Sequence, residues 1–177
     1  MPFYKVPFLI SLTVAMVLIA IIVARAPIEI AGILIGSFIG TFFLDIEYFL
    51  SAYLFEPQTP FSQTLMGFVK HKDFLNAVAY INYHKDEIKD KSLNSAVFQV
   101  VIAAISIFIA FASVSFLFKA LIFSIYANSI YRFSEAYFQQ KTDDWFWALK
   151  TKPTKRGTVI YAIGLIVILV FCIMVTR

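Results

Sequence analysis

The run Ile28-Glu-Ile-Ala-Gly32-Ile-Leu-Ile-Gly36-Ser-Phe-Ile-Gly40-Thr-Phe-Phe-Leu44-Asp45-Ile-Glu47-Tyr48, which continues apolar to Phe55, decides the fold. It exceeds the roughly twenty apolar residues that a helix needs to cross about 30 Å of hydrocarbon. Gly32, Gly36 and Gly40 lie on one helix stripe at i, i+4 and i+8, and in lipid such a stripe lets a second backbone approach closely. Asp45 and Glu47 follow at once. Carboxylates inside a membrane-length apolar run are costly, so they face a protein interior or a wet cavity and have a partner.

The rest of the chain has the same character. A hydrophobic content of 60%, a mean hydropathy of +0.81 and 20 phenylalanines among 177 residues cannot fit the interior of a soluble domain of this size. The expected class is an all-α, polytopic integral membrane protein forming one membrane domain over 1–177. Five spans are expected, at about 6–24, 28–55, 95–112, 116–138 and 159–175. The third and fourth nearly touch, and Ser113, Ser115 and Lys119 suggest a tight turn between two antiparallel helices.

Charge orders these spans. With five crossings, eleven of the fifteen Lys and Arg residues fall on one side, and only Arg25, Lys119 and Arg177 on the other, with Arg132 inside a span. Loops kept in the cytoplasm carry the excess of Lys and Arg, so the N-terminus is expected in the cytoplasm and the C-terminus outside, in a cell (inner) membrane. Lys5 with the apolar run and Ala24-Arg25-Ala26 resembles a signal peptide and its cleavage site. The run is longer than a signal core, however, and Pro27 reads better as the first residue of the second helix, where its missing N–H costs nothing. The basic residues are spread over connecting segments with no stripe to collect them, which argues against a nucleic-acid partner. Cys172 is the sole cysteine, so there is neither an internal disulfide nor a thiolate cluster for a metal.

The connector 56–94 is too long to be an idle loop. Leu65, Phe68 and Val69, then Leu75, Val78 and Ala79, recur at helical spacing around the charged Lys70-His71-Lys72-Asp73, which predicts two short amphipathic helices at headgroup level. The mixed-charge run 85–91 reads as a solvated face or turn. Trp145 and Trp147, just before the basic group 150–156, are expected to anchor a membrane exit at the interface.

Depth brings the polar residues of the spans together. Asp45 and Glu47 fall in the inner portion of span two. Asn128, Arg132 and Glu135 fall in the inner portion of span four at i, i+4 and i+7, on one helix face. Asn94 begins span three on the same side. Asp45 and Glu47 are turned about 200° apart on a regular helix, so both can address one site only if the helix ends or unwinds there. The expected arrangement is a structural cluster in which Arg132, with five donors in a fixed fork, balances Asp45 or Glu47. His71 and His84 lie outside any shared metal spacing, and no HExxH, GxSxG or phosphate-cradling loop occurs.

The stretch 36–48, with Asp45 and Glu47 after the glycines, resembles the glycine-rich helix and Pro-Asp-x-Asp-His signature of the bacterial inner-membrane metal-dependent hydrolases. Later features follow in order. That family has a histidine where Asn94 stands, before Phe98-Gln99, and a His-x-x-x-Asp helix where 128–132 stands, followed by a tryptophan-bearing exit resembling 144–147. The resemblance covers about 28–147. Asp45 keeps the family's ligand type and Glu47 is a conservative exchange, but Tyr48, Asn94 and Asn128 replace histidines and Arg132 replaces an aspartate. The resemblance therefore implies a relative that has lost metal-dependent hydrolysis: non-catalytic, with neither metal nor cofactor, its polar cluster serving helix packing or the binding of a membrane lipid, a second copy or a partner membrane protein. The alternative is a membrane-bound hydrolase of a phosphoester or lipid-linked substrate, with a cation on Asp45 and Glu47 and with His71 or His84 folded back.

Overall fold

The computed structural model describes residues 4–23, 26–84 and 92–176; the Ala24-Arg25 junction, the charged run 85–91 and Arg177 lie outside the described residues. The described residues form α1 (Lys5–Ile22), α2 (Pro27–Phe43), α3 (Ile46–Leu50, continued by a π-helical turn Ser51–Phe55), α4 (Pro60–Lys70), α5 (Phe74–His84), α6 (Ala96–Phe111), α7 (Phe116–Phe138), α8 (Thr142–Trp145) and α9 (Lys155–Val175), with no strand among them. They fall into two compact units, Met1–Leu44 with Leu93–Arg177, and Asp45–Ser92. The division begins inside the 28–55 run, where α2 stops at Phe43, Leu44 and Asp45 form a turn, and α3 starts at Ile46.

In the larger unit α7 is the central helix. Residues 123–130 are buried without interruption, and at 100° per residue such a run points in every direction around the axis. The helices α1, α2, α6 and α9 enclose it. Enclosure explains why α7 tolerates Ser124, Asn128 and Ser129 among its buried residues, since protein rather than lipid or water surrounds them. Lys119 lies near the start of α7, within the expected span, buried, with its ammonium 5.8 Å from the Phe116 ring.

The glycine stripe sets the distance between α2 and α7. A Cβ on Gly40 would stand 2.8 Å from the Leu121 carbonyl oxygen and 2.7 Å from Ser124 Cβ, and one on Gly36 would run into the Leu117 carbonyl oxygen. Gly32 has ordinary room, with Leu117 Cβ at 3.6 Å. Around this contact, Val14, Ala15 and Leu18 of α1 pack with Ile33, Ala120, Phe123 and Cys172. A second cluster joins Leu44, Ile102, Tyr126 and Leu165, and a third closes the far end of α7 with Phe133, Trp145 and Phe146.

The outward faces of the long helices of this unit are apolar. Met16, Phe38, Phe108, Ile160, Val167 and Met174 are all exposed, Ile160 by 70% and Phe108 by 72%. Among the described residues α1 and α9 are long and apolar enough to cross a membrane, and a third span exists if α2 and α3 with its π turn are counted together. Two expected spans fall short of that standard for identifiable reasons. The 16 residues of α6 extend only about 24 Å. The longer α7 is diluted by the polar side chains that its central position permits.

The smaller unit is built on α3, α4 and α5. Thr59 caps α4 by accepting the Ser62 N–H at 3.2 Å, with Pro60 in the first turn where no N–H is needed. Asp73 does the same for α5 through the Asn76 N–H at 3.2 Å. Between these helices Lys72 adopts a left-handed φ of 59°, which tightens the turn. The core joins Tyr48 and Ala52 to Phe61, Leu65, Ala77 and Ile81, and Tyr80 stacks on Phe61. The two short helices expected in 56–94 are present, although Leu75 points outward.

Candidate polar site

Asp45 and Glu47 stand at the start of α3 in the smaller unit, both buried. The helix breaks at Leu44 and Asp45, just before the pair, and the backbone from Asp45 into α3 is right-handed helical.

The remaining residues of the expected cluster belong to the larger unit, where Asn94 and Arg132 are joined directly. Asn94, on the segment leading into α6, accepts from Arg132 Nη1 at 3.2 Å and directs its own amide N–H toward the Leu44 carbonyl at 3.5 Å. Asn94 therefore ties the end of α2 to α7. Glu135 accepts the Tyr131 hydroxyl at 3.1 Å, one turn back on its own helix.

Asn128 serves a different junction. Its Nδ2 donates to Ser11 Oγ at 2.8 Å and to the Ser124 carbonyl at 2.9 Å. Ser11 and Thr41 share a 2.8 Å hydroxyl contact, and Thr41 also donates to the Ser37 carbonyl at 3.2 Å. One amide thus gathers α1, α2 and α7 at the level where Gly40 admits α7. Hydroxyls at i and i+4 on an apolar helix, here Ser37 and Thr41, are the available sequence signal for such polar glue.

The third group centres on Gln99, which is fully buried. Its Oε1 accepts from Trp145 Nε1 at 2.9 Å and from the Tyr161 hydroxyl at 3.0 Å, while its Nε2 donates to the Ser129 carbonyl at 3.1 Å. Four helices, α6 to α9, meet on this one side chain. Trp145 is consequently not the interfacial anchor that its position beside a basic segment suggests: it is buried, its indole N–H is bonded inside the protein, and its ring lies 5.6 Å from Phe133. Trp147 is 53% exposed.

Chemically, the Asn128 and Gln99 groups are neutral amides and hydroxyls joined to one another and to main-chain carbonyls. Such groups fix helices in place. Among the described residues, no three His, Cys, Asp or Glu side chains come together as a metal-binding group. No family model, curated protein or solved structure matches this chain.

Proposed function

We propose that this chain is a non-catalytic, five-span protein of the cell membrane, N-terminus inside, whose buried polar groups hold its helices together and leave the outer face to lipid. The observation that carries the reading is the apolar outer face of the helices of the larger unit. Beside its apolar core the interior holds Ser11, Thr41, Gln99, Ser124 and Asn128, while the outward faces of α1, α2, α6 and α9 carry exposed Ile, Val, Phe and Met. A soluble monomer rarely exposes apolar patches beyond a few hundred Å². Hydrocarbon as the surrounding solvent removes that difficulty and makes internal hydrogen bonding the requirement.

The kinship with membrane metal-dependent hydrolases is part of this proposal and rests on the sequence signature around Asp45 and Glu47. Support for a loss of catalysis comes from Asn128, a neutral amide where the resemblance places a histidine ligand, whose nitrogen donates to Ser11 Oγ and the Ser124 carbonyl. The proposal also includes the charge balance that the sequence calls for, with the Arg132 guanidinium set against the acids Asp45 and Glu47. Membrane preparations extracted at alkaline pH should keep the protein in the pellet, and protein purified in mild detergent should carry far less than one equivalent of Zn, Mn or Mg. Release into the supernatant would overturn the membrane assignment, and a stoichiometric divalent cation the non-catalytic one.

A further inference from the structure

The loop that leads into α9 joins exposed cations to exposed apolar side chains. Lys150, Lys152, Lys155 and Arg156 are all exposed, and so are Trp147 and Leu149 just before them, by 53% and 48%. Lys152 Nζ donates to the main-chain carbonyl of Asp143 rather than to a carboxylate. The acids nearest in the chain, Asp143 and Asp144, are outnumbered by the four cations, and the first turn of α9 contains no acid. An excess of positive charge therefore stands at this end of the helix.

Two contacts fix the level of this charge. Thr154 accepts the Gly157 N–H at 3.2 Å and starts α9, which puts Lys155 and Arg156 in the first turn. The Phe146 ring lies 5.5 Å from Tyr161 and 5.9 Å from Phe133, which holds the chain at Phe146 and Trp147 beside the second turn of α9. In that turn Val159 and Ile160 are exposed by 43% and 70%, and they begin the apolar face that continues through Ile163 and Val167. From Arg156 to Ile160 the rise is about 6 Å at 1.5 Å per residue. A bilayer surface presents the matching order, with phosphates outermost, then the boundary where indole rings settle, then hydrocarbon. An acidic protein or a nucleic acid would match the cations and leave Val159 and Ile160 against a polar surface.

We propose that the loop 147–156 is a docking surface for anionic phospholipid, with lipid phosphates on Lys150, Lys152, Lys155 and Arg156 and with Trp147 and Leu149 seated at the headgroup boundary. The inference rests on the membrane reading above and adds the headgroup class. The test is quenching of Trp147 emission in the full chain, reconstituted in equimolar phosphatidylglycerol and phosphatidylcholine with one of the two lipids brominated in its acyl chains. Emission of Trp147 is the difference between the chain and its Trp147→Phe variant, in which Trp145 remains. In about 10 mM salt, brominated phosphatidylglycerol should associate about fivefold or more above brominated phosphatidylcholine, the weight of one cation near an anionic surface. In about 1 M salt, where charges are screened beyond about 3 Å, the preference should fall toward one. Exchanging the cations together, as Lys150→Gln, Lys152→Gln, Lys155→Gln and Arg156→Gln, should remove it with the melting temperature unchanged; the salt series on the unaltered chain tests the same point without any variant. Equal quenching by the two lipids at low salt, a preference indifferent to salt, or one that survives in a well-folded fourfold variant would each overturn the inference. Emission of Trp147 quenched by neither lipid would instead contradict the membrane reading on which it stands.

Discussion

The amide of Asn128 reaches the hydroxyl of Ser11 at 2.8 Å, joining residues 117 positions apart and making α1 and α7 neighbours through a neutral hydrogen bond in an apolar setting. Interhelical bonds of this kind contribute about 0.6 kcal/mol on average and up to about 1.7. A double-mutant cycle of Ser11→Ala and Asn128→Ala, read by unfolding in detergent, should return a coupling energy in that range, whereas additive losses would mean that the two groups act separately.

Gly36 and Gly40 face main-chain atoms that cannot yield, and Gly32 does not. Gly36→Ala and Gly40→Ala are expected to destabilise by about 1–3 kcal/mol each through overpacking. Gly32→Ala should be neutral or slightly stabilising because the helix gains a better former. Melting temperatures of the three variants decide this, and a uniform response would contradict the close approach of α2 and α7.

Gln99→Leu keeps the volume of the side chain and removes its amide. Trp145 Nε1 then loses its acceptor, while Tyr161 retains the Ala96 carbonyl at 3.3 Å. The expected cost is about 2 kcal/mol, together with a shift in tryptophan emission that is absent in the same variant carrying Trp145→Phe. Unchanged emission would place the indole outside the Gln99 network.

Arg132→Leu removes the donor to Asn94 and the cation proposed to balance Asp45 and Glu47. Leaving buried acids uncompensated costs about 3 kcal/mol or more. Neutralising them in that background, with Asp45→Asn and Glu47→Gln, should recover much of the loss in thermal stability. A variant Arg132→Leu that melts normally, or a triple variant no better than the single one, would count against the charge balance.

Particular residues show where the sequence was informative. The ends of α7 stand where the apolar run 116–138 puts them, and Pro27 opens α2 as its ring geometry suggests. The interruption at Leu44 and Asp45 was invisible to hydropathy, because residues on both sides of a backbone break are equally apolar. The partners of Asn128 were invisible for another reason: Ser11 is an ordinary residue of an ordinary apolar helix until folding brings it across 117 positions. Trp145 misleads because a tryptophan beside lysines has the same local signature whether its N–H meets water or Gln99. The expected grouping of Asn128, Arg132 and Glu135 follows from their shared helix face; Asn128 donates to Ser11, Arg132 to Asn94, and Glu135 accepts from Tyr131.

The apolar outer face of the larger unit is tested most directly by spin labels at Ile160, Ile163 and Val167, in a Cys172→Ala background reconstituted in lipid. Lipid-facing labels should relax readily with oxygen and hardly at all with a water-soluble nickel chelate. Labels on α9 that collide freely with the chelate and poorly with oxygen would contradict a helix bundle turned outward to hydrocarbon.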